Sequence, residues 1–141
     1  MYNKILVAID LGDSSEQIIN RAKELASKFG AKIHLLHVIE YMPIEPMGDA
    51  LLPAMDIEKD MVERAERNLE DIAKKHQLSD APRTVEVGST KGEIVRIAEE
   101  HSCGLVVLGA RERHGLSILV NDTEDTVLHK AKCDVLAVRI P

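Results

Sequence analysis

A glycine-bearing stretch, residues 109–125, has groups that could hold a phosphate, and it reads GARERHGLSILVNDTED. It follows an apolar run, Leu105–Leu108, and precedes a segment with helical character. Passages from a strand through a glycine loop into a helix bind phosphates in α/β proteins, because backbone N–H groups point at the anion. The stretch is therefore a candidate nucleotide site.

The far end of this stretch opposes phosphate binding, because it carries Asp122, Glu124 and Asp125 at the expected start of a helix. Carboxylates at a helix N-terminus interact with the helix dipole themselves and repel a triphosphate. Two arginines and a histidine earlier in the stretch offset part of this negative charge. A complete phosphate site is therefore not expected.

The other reactive side chains form no recognisable catalytic or metal-binding pattern. His34 and His37 stand three apart on an expected strand, so they point to opposite faces and cannot share a metal. No Ser–His–Asp order, carboxylate pair or metal-ligand spacing is visible in the sequence. We expect no metal and no catalytic residues, although a triad assembled from distant residues leaves the enzyme question open.

Cys103 and Cys133 are the two cysteines of the chain. Each precedes an expected strand, and the two strands should be neighbours, so the thiols should lie near each other. A disulfide needs narrow geometry, and two cysteines without paired spacing are typical of a reducing compartment. We expect free thiols.

The composition limits the class of protein. The chain has 141 residues, 45% hydrophobic and 30% charged, which is typical of one soluble domain over residues 1–141. A net charge of −6 and 2% aromatic residues argue against nucleic-acid binding. No apolar run is long enough to span a bilayer, and the start, MYNKILVAID, does not resemble a secretory signal. A cytoplasmic protein is expected.

The elements that must position these residues follow from hydrophobic periodicity. Five segments predict strands: Lys4–Asp10, Ala31–Ile39, Arg83–Val87, Leu105–Leu108 and Asp134–Ile140. Four helices are expected between them. The first begins at Asp13-Ser14-Ser15-Glu16 and ends at Gly30, and the second covers Ile57–His76 with Asp56 as its cap. The third begins at a Thr90–Glu93 capping box, and the fourth covers Asp122–Ala131. Residues Glu40–Met55, rich in proline and methionine, predict a long loop that is a candidate partner surface or lid.

The alternation of strands and helices predicts an α/β fold: a single open five-stranded parallel sheet with helices on both faces. The fifth strand ends the sequence and should lie at an edge, where an apolar strand invites pairing with a second copy. Arg139 and Pro141 could instead blunt that edge. The candidate dimer interface comprises Val135, Leu136, Ala137, Val138, Arg139 and Ile140.

In order and spacing, these pieces resemble the universal stress protein family over the whole chain. The resemblance lies in KILVAID with a serine-rich helix start, AKIHLLHVI, GSTKGEI, LVVLG and AKCDVLAVRI. It implies strand order 3-2-1-4-5, an adenine nucleotide alpha hydrolase-like fold, and a homodimer formed through the fifth strand.

Some members of this family bind ATP through glycines and a hydroxyl that follow the fourth strand. In this sequence Gly109 matches the first glycine, but Glu112 and Asn121 replace the later ones and Asp122 replaces the hydroxyl residue. A reading shifted by one position places Asp122 at the last glycine and Thr123 at the hydroxyl. Either way the phosphate half is degenerate.

The nucleoside half of the family site is better preserved. Asp10, Val38, Leu108 and Gly109 match positions near the nucleoside, and Thr123 is a further candidate. For Asp10, a turn residue that bonds its own backbone is an equally good interpretation.

Three functions remain open from the sequence. The first is a non-enzymatic, homodimeric stress-response protein without a cofactor, which acts through an unidentified protein partner or by sensing a ligand. The second is an ATP- or AMP-binding switch with slow or no hydrolysis, in the crevice at the C-terminal ends of the first and fourth strands. The third is a carrier of an uncharged ligand in that crevice.

Overall fold

The computed structural model describes residues 2–40, 51–111 and 123–141. Its strands are β1 Lys4–Ala8, β2 Lys32–Ile39, β3 Arg83–Val87, β4 Leu105–Arg111 and β5 Asp134–Ile140. Within the described ranges, the helices are α1 Ser15–Phe29, α2 Leu51–Lys75, α3 Thr90–Glu100 and α4 Thr123–Lys130.

The strands form one parallel sheet in the order β3-β2-β1-β4-β5, as the sequence predicts. Central β1 pairs with β2 from Lys4 to Ala8 and with β4 from Ile5 to Val7. Its interior residues, Ile5, Leu6 and Val7, are fully buried because both faces of the sheet are covered. The edges of this sheet are β3 and β5.

Each face of the sheet has its own apolar core. One core, on the face covered by α1 and α2, includes Ile18, Ile19 and Leu69. The other, on the face covered by α3 and α4, includes Ile94, Ile97 and Val127. The helices thus lie on both faces, as a doubly wound sheet requires.

Strand β4 is longer than predicted, since it runs through Gly109 and Ala110 to Arg111 instead of ending at Leu108. Glycine suggested a loop, but Gly109 lies in register with Val138 of β5 and continues the ladder. The first residues of the candidate phosphate loop are therefore strand.

Helix α2 begins at Leu51, so the prediction of a loop through Met55 and a cap at Asp56 is wrong. Pro53 suggested a helix breaker, but proline is accepted in the first helical turn, where the backbone N–H has no partner within the helix. Residues 41–50 of the predicted partner-covering loop lie outside the described residues.

Helix α3 is capped one residue earlier than predicted. Ser89 is extended (φ −76°, ψ 122°) and its hydroxyl accepts the Gly92 N–H at 3.4 Å. The N–H of Thr90, the predicted cap, instead donates to Glu40 Oε1 at 3.1 Å, and Glu93 pairs with Arg96 at 2.7 Å. Because Ser89 takes the capping position, the Thr90–Glu93 box does not form.

Three helices return to the sheet through a left-handed residue. Gly30 ends α1 with φ 65°, as predicted, but Gln77 (φ 59°) and Ser102 (φ 54°) do the same after α2 and α3. After α3, the N–H of Cys103 donates to Ala98 O at 2.9 Å, which closes the turn. Residues other than glycine are strained in this conformation. Because the turns at Gln77 and Ser102 contain no glycine, the sequence does not predict them.

His34 is a buried histidine on the α3 side of the sheet, with 3% of its surface exposed. Its Nε2 lies 2.7 Å from Thr84 Oγ1, and its ring centre lies 4.6 Å from that of His101. Burial lowers the pKa of His34, and His101 and Lys4 act in the same direction. Burial also lowers the pKa of His76.

These histidines predict a loss of stability in mild acid. Because their folded pKa values lie below the ordinary value of 6.5, the unfolded chain binds more protons as the pH falls through that value. The free energy of unfolding, measured in urea, should fall between about pH 7.5 and about pH 5.5. His34→Gln should lose part of that dependence, since His76 remains. An unchanged dependence in His34→Gln would assign it to other groups.

Candidate functional site

The candidate site lies where β1 and β4 end side by side in the sheet. The connections leave β1 and β4 toward opposite edges, which creates a crevice at the C-terminal ends of these strands. Asp10 follows β1, Gly109 lies in the second half of β4, and Val38 lies near the end of β2. The fold therefore brings these predicted residues to one edge of the sheet.

Asp10 holds the turn between β1 and α1. Its Oδ1 accepts the Gly12 N–H at 2.9 Å and the Ser14 hydroxyl at 3.4 Å. Ser14 is the residue before α1, within the predicted helix start, but its hydroxyl binds Asp10 and makes no side-chain cap to the helix. Leu11 between them has φ 68°, a strained conformation for a bulky residue. The carboxylate thus has a structural role in this turn.

His37 contributes a contact at this edge that sequence reasoning missed. Its Nδ1 lies 2.8 Å from the carbonyl oxygen of Ile9, so Nδ1 carries a proton and donates to that carbonyl. The bond ties the end of β1 to β2 just before Asp10. Only the position of His37 near a strand end could have indicated this role.

Val38 and Leu108 direct their side chains into the α3-side core, with 8% and 3% of their surfaces exposed. A ligand in the crevice could thus approach these two residues mainly through their backbone atoms. Backbone N–H and C=O groups can bind the hydrogen-bonding edge of a ligand. The side chains of Val38 and Leu108 would then contribute little to ligand selectivity.

Gly109 is packed between two core side chains. A Cβ atom placed there would lie 3.0 Å from Ile18 Cδ1 and 3.2 Å from Ile140 Cγ1. These distances are shorter than favourable carbon–carbon contacts. The packing of α1 and β5 therefore disfavours a side chain here whether or not a ligand binds, because Ile18 and Ile140 would have to shift to admit one.

We predict that Gly109→Ala lowers the free energy of unfolding by about 1–3 kcal/mol through overpacking. Urea unfolding checks this, and Ile18→Val should restore part of the loss by removing the nearest methyl group. Gly92→Ala is the matched control, because a Cβ there meets Ser89 at an ordinary 3.6 Å. The control should gain about 0.5–1 kcal/mol as a helical glycine replaced by alanine. A neutral Gly109→Ala would contradict the packing argument.

Within the described residues helix α4 covers Thr123–Lys130, and Glu124 and Asp125 occupy its first turn. The N-terminus that would face a phosphate thus bears two carboxylates. The degenerate loop positions Glu112, Asn121 and Asp122 lie outside the described residues.

Ser15, the first residue of α1, has an unsatisfied hydroxyl. Its side chain is 3% exposed, and among the described residues Ser15 Oγ is a buried side-chain atom without a hydrogen-bond partner. A buried hydroxyl without a partner costs about 1–3 kcal/mol, which a bound water or ligand atom would recover. Ser15 follows the Asp10 turn and is a polar residue of this site that the sequence did not single out.

The candidate dimer edge, β5, presents an open row of backbone groups. The Asp134 N–H donates to Gly104 O on the β4 side at 3.3 Å. Because backbone groups alternate along a strand, those of Val135, Ala137 and Arg139 point away from β4. Val138 and Ile140 are buried within the sheet, whereas Ala137 and Arg139 are exposed.

The described ranges lack both a metal cluster and a membrane-spanning helix. They contain no group of three or more His, Cys, Asp or Glu side chains arranged to hold a metal ion. Within the same ranges, no helix is both long and apolar enough to cross a membrane.

Comparisons with known proteins agree on one family. The sequence model of the universal stress protein family matches residues 1–139. Universal stress protein A homolog 2 of Coxiella burnetii is 35% identical over 140 residues, covering 99% of this chain and 96% of that protein. The structure of UspA from Lactobacillus plantarum is 25% identical, with a TM-score of 0.73 and 98% coverage of both chains. A universal stress protein in complex with cAMP is 21% identical, with a TM-score of 0.66 and 97% coverage of both.

Proposed function

This chain belongs to the universal stress protein family, and on that basis we propose that it is a cytoplasmic, homodimeric stress-response protein that acts without catalysis. It works through a protein partner or by sensing a ligand, and it does not bind ATP in the manner of the ATP-binding members of the family.

The start of α4 is the observation that carries this proposal. Glu124 and Asp125 lie in its first turn, where an ATP site would use the positive end of the helix dipole to bind the phosphates. In addition, Asp10 is engaged in the β1–α1 turn, and Gly109 is explained by packing. The features that suggested a nucleotide each have a structural role, while the phosphate end is acidic.

A second candidate, an adenine-nucleotide switch in the same crevice, is supported by Ser15. Its buried hydroxyl, at the start of the helix that follows β1, has no hydrogen-bond partner among the described residues. A structural relative has been solved in complex with cAMP, a nucleotide with one negative charge. Such a ligand would meet less repulsion from Glu124 and Asp125 than ATP does.

Calorimetry with Mg-ATP, cAMP and adenosine tests both functions. The proposal predicts no measurable heat with Mg-ATP and no nucleotide carried through purification, as detected by mass spectrometry. Micromolar binding of Mg-ATP would overturn it in favour of the switch. Binding of cAMP or adenosine alone would support ligand sensing. Ser15→Ala is the matched variant: it should weaken such binding if Ser15 contacts the ligand.

A further inference from the structure

Cys103 and Cys133 lie at the end of the sheet opposite the candidate nucleotide site, where β4 and β5 begin. The β4–β5 register begins with the pair Leu105 and Asp134, so Cys133 lies one residue and Cys103 two residues before the first paired positions. Disulfides most often join Cα atoms about 5.5–6 Å apart, a separation that two positions just before neighbouring strands can reach.

Hydrogen bonds hold the backbone at Cys103 and at Asp134, the residue after Cys133, whose N–H donates to Gly104 O at 3.3 Å. The Cys103 N–H donates to Ala98 O at 2.9 Å, and the Gly104 N–H donates to Lys4 O at 3.0 Å. Beside Cys133, the side chain of Asp134 accepts the hydroxyl of Tyr2 at 2.6 Å. The two cysteines are therefore held in a fixed relation, even though they belong to different connections.

Both side chains also face the same space. Cys103 and Cys133 line one open cavity of about 230 Å³ between α3 and the start of β5, and both contact the α3-side core. At the rim, Lys132 Nζ pairs with Glu99 Oε1 at 3.0 Å. Cys103 is 6% exposed and Cys133 is half-buried, and both thiols are free. An oxidant can therefore reach Cys133 through the cavity more easily than it can reach the buried Cys103.

We propose that Cys103 and Cys133 form a reversible redox pair, which a small-molecule disulfide such as oxidised glutathione converts to an internal cystine. Cys133 first attacks the small disulfide, which forms a mixed disulfide and releases one thiol. Cys103 then attacks the Cys133 sulfur and releases the second thiol. Two protein S–H bonds are lost, one S–S bond forms, and the two electrons and two protons reside on the two released thiols. This proposal does not depend on the nucleotide site.

The reaction should be slow at neutral pH and faster in base. Burial raises the pKa of both thiols, with Asp134 adding to the effect on Cys133. The thiolate is the attacking species, so the rate should rise roughly tenfold per pH unit below the thiol pKa. The pair would therefore respond to sustained oxidation more than to a brief pulse.

Equilibration of the folded wild-type protein with glutathione redox buffers tests the proposal. Mass spectrometry should show a loss of 2 Da, about two hydrogens, with one peptide link between Cys103 and Cys133. The equilibrium constant should be about 100-fold larger for the folded chain than for the chain in urea, which corresponds to about 2.8 kcal/mol of added stability. No variant is needed for this comparison.

Cys103→Ala and Cys133→Ala serve as controls. In Cys103→Ala, glutathione should remain attached to Cys133, because no second thiol displaces it. Cys133→Ala should react much more slowly, since the remaining thiol is buried. The proposal is overturned if the wild type stops at a glutathione adduct, if it links only between two chains, or if its equilibrium constant is the same when folded and in urea.

Discussion

An Ala137→Pro variant is expected to be a monomer at concentrations where the wild type is a dimer. The Ala137 N–H points away from β4 and toward the open edge, so proline removes a bond to a second copy and none within the sheet. Around a two-fold axis one substitution removes two hydrogen bonds, which should weaken the dimer about 100-fold. Sedimentation equilibrium measures this change.

The same geometry supplies the controls for that prediction. Ala137→Thr keeps the N–H and should remain dimeric. Leu136→Pro removes an N–H that points to β4, so it should destabilise the fold itself. Circular dichroism should show that Ala137→Pro is folded. A wild type that is monomeric at high concentration, or an Ala137→Pro protein that dimerises as tightly as wild type, would contradict pairing through β5.

Restoring the glycines and hydroxyl of the ATP-binding members of the family is expected to raise the affinity for Mg-ATP, even with Glu124 and Asp125 in place. The triple variant Glu112→Gly, Asn121→Gly, Asp122→Ser removes two carboxylates and supplies the missing glycines and hydroxyl. Its affinity for Mg-ATP should rise at least about 100-fold, or about 2.8 kcal/mol. Calorimetry on the variant and the wild type measures the difference.

A control variant distinguishes the effect of negative charge on ATP affinity from the effect of the missing glycines and hydroxyl. Glu124→Gln with Asp125→Asn neutralises the first turn of α4 and leaves the three loop positions unchanged. It should give a smaller gain than the triple variant, because it adds no glycine and no hydroxyl. Equal affinity for Mg-ATP in the wild type and the triple variant would refute our account of the degenerate loop.

Much of the fold could be predicted because apolar strands carry a strong signal. The bounds of Arg83–Val87 and Asp134–Ile140 are confirmed, as is the strand order that the family resemblance implies. The predicted element bounds are wrong where one residue type is compatible with two kinds of structure. Pro53 lies within the first turn of a helix, and Gly109 lies within a strand, where Ile18 and Ile140 pack closely against its Cα.

The site was less predictable because its contacts join residues distant in sequence. The bond from His37 to Ile9 and the orphaned hydroxyl of Ser15 depend on packing that no local pattern encodes. The left-handed turn at Ser102 was missed because the residue is not glycine. Asp10 could be assigned to the site edge, but its bonds to Gly12 and Ser14 appear only in three dimensions.

The central position of β1 also has a consequence for the order in which the chain folds. Ile5 pairs with Ile33 on one side and with Leu105 on the other, and Leu105 is synthesised roughly 100 residues later. At a translation rate of about 5–20 residues per second, about 5–20 s pass between the synthesis of β1 and that of β4, its second neighbour in the sheet. During that interval one edge of an apolar strand is unpaired, so the nascent chain exposes a surface that favours aggregation until β4 has been made.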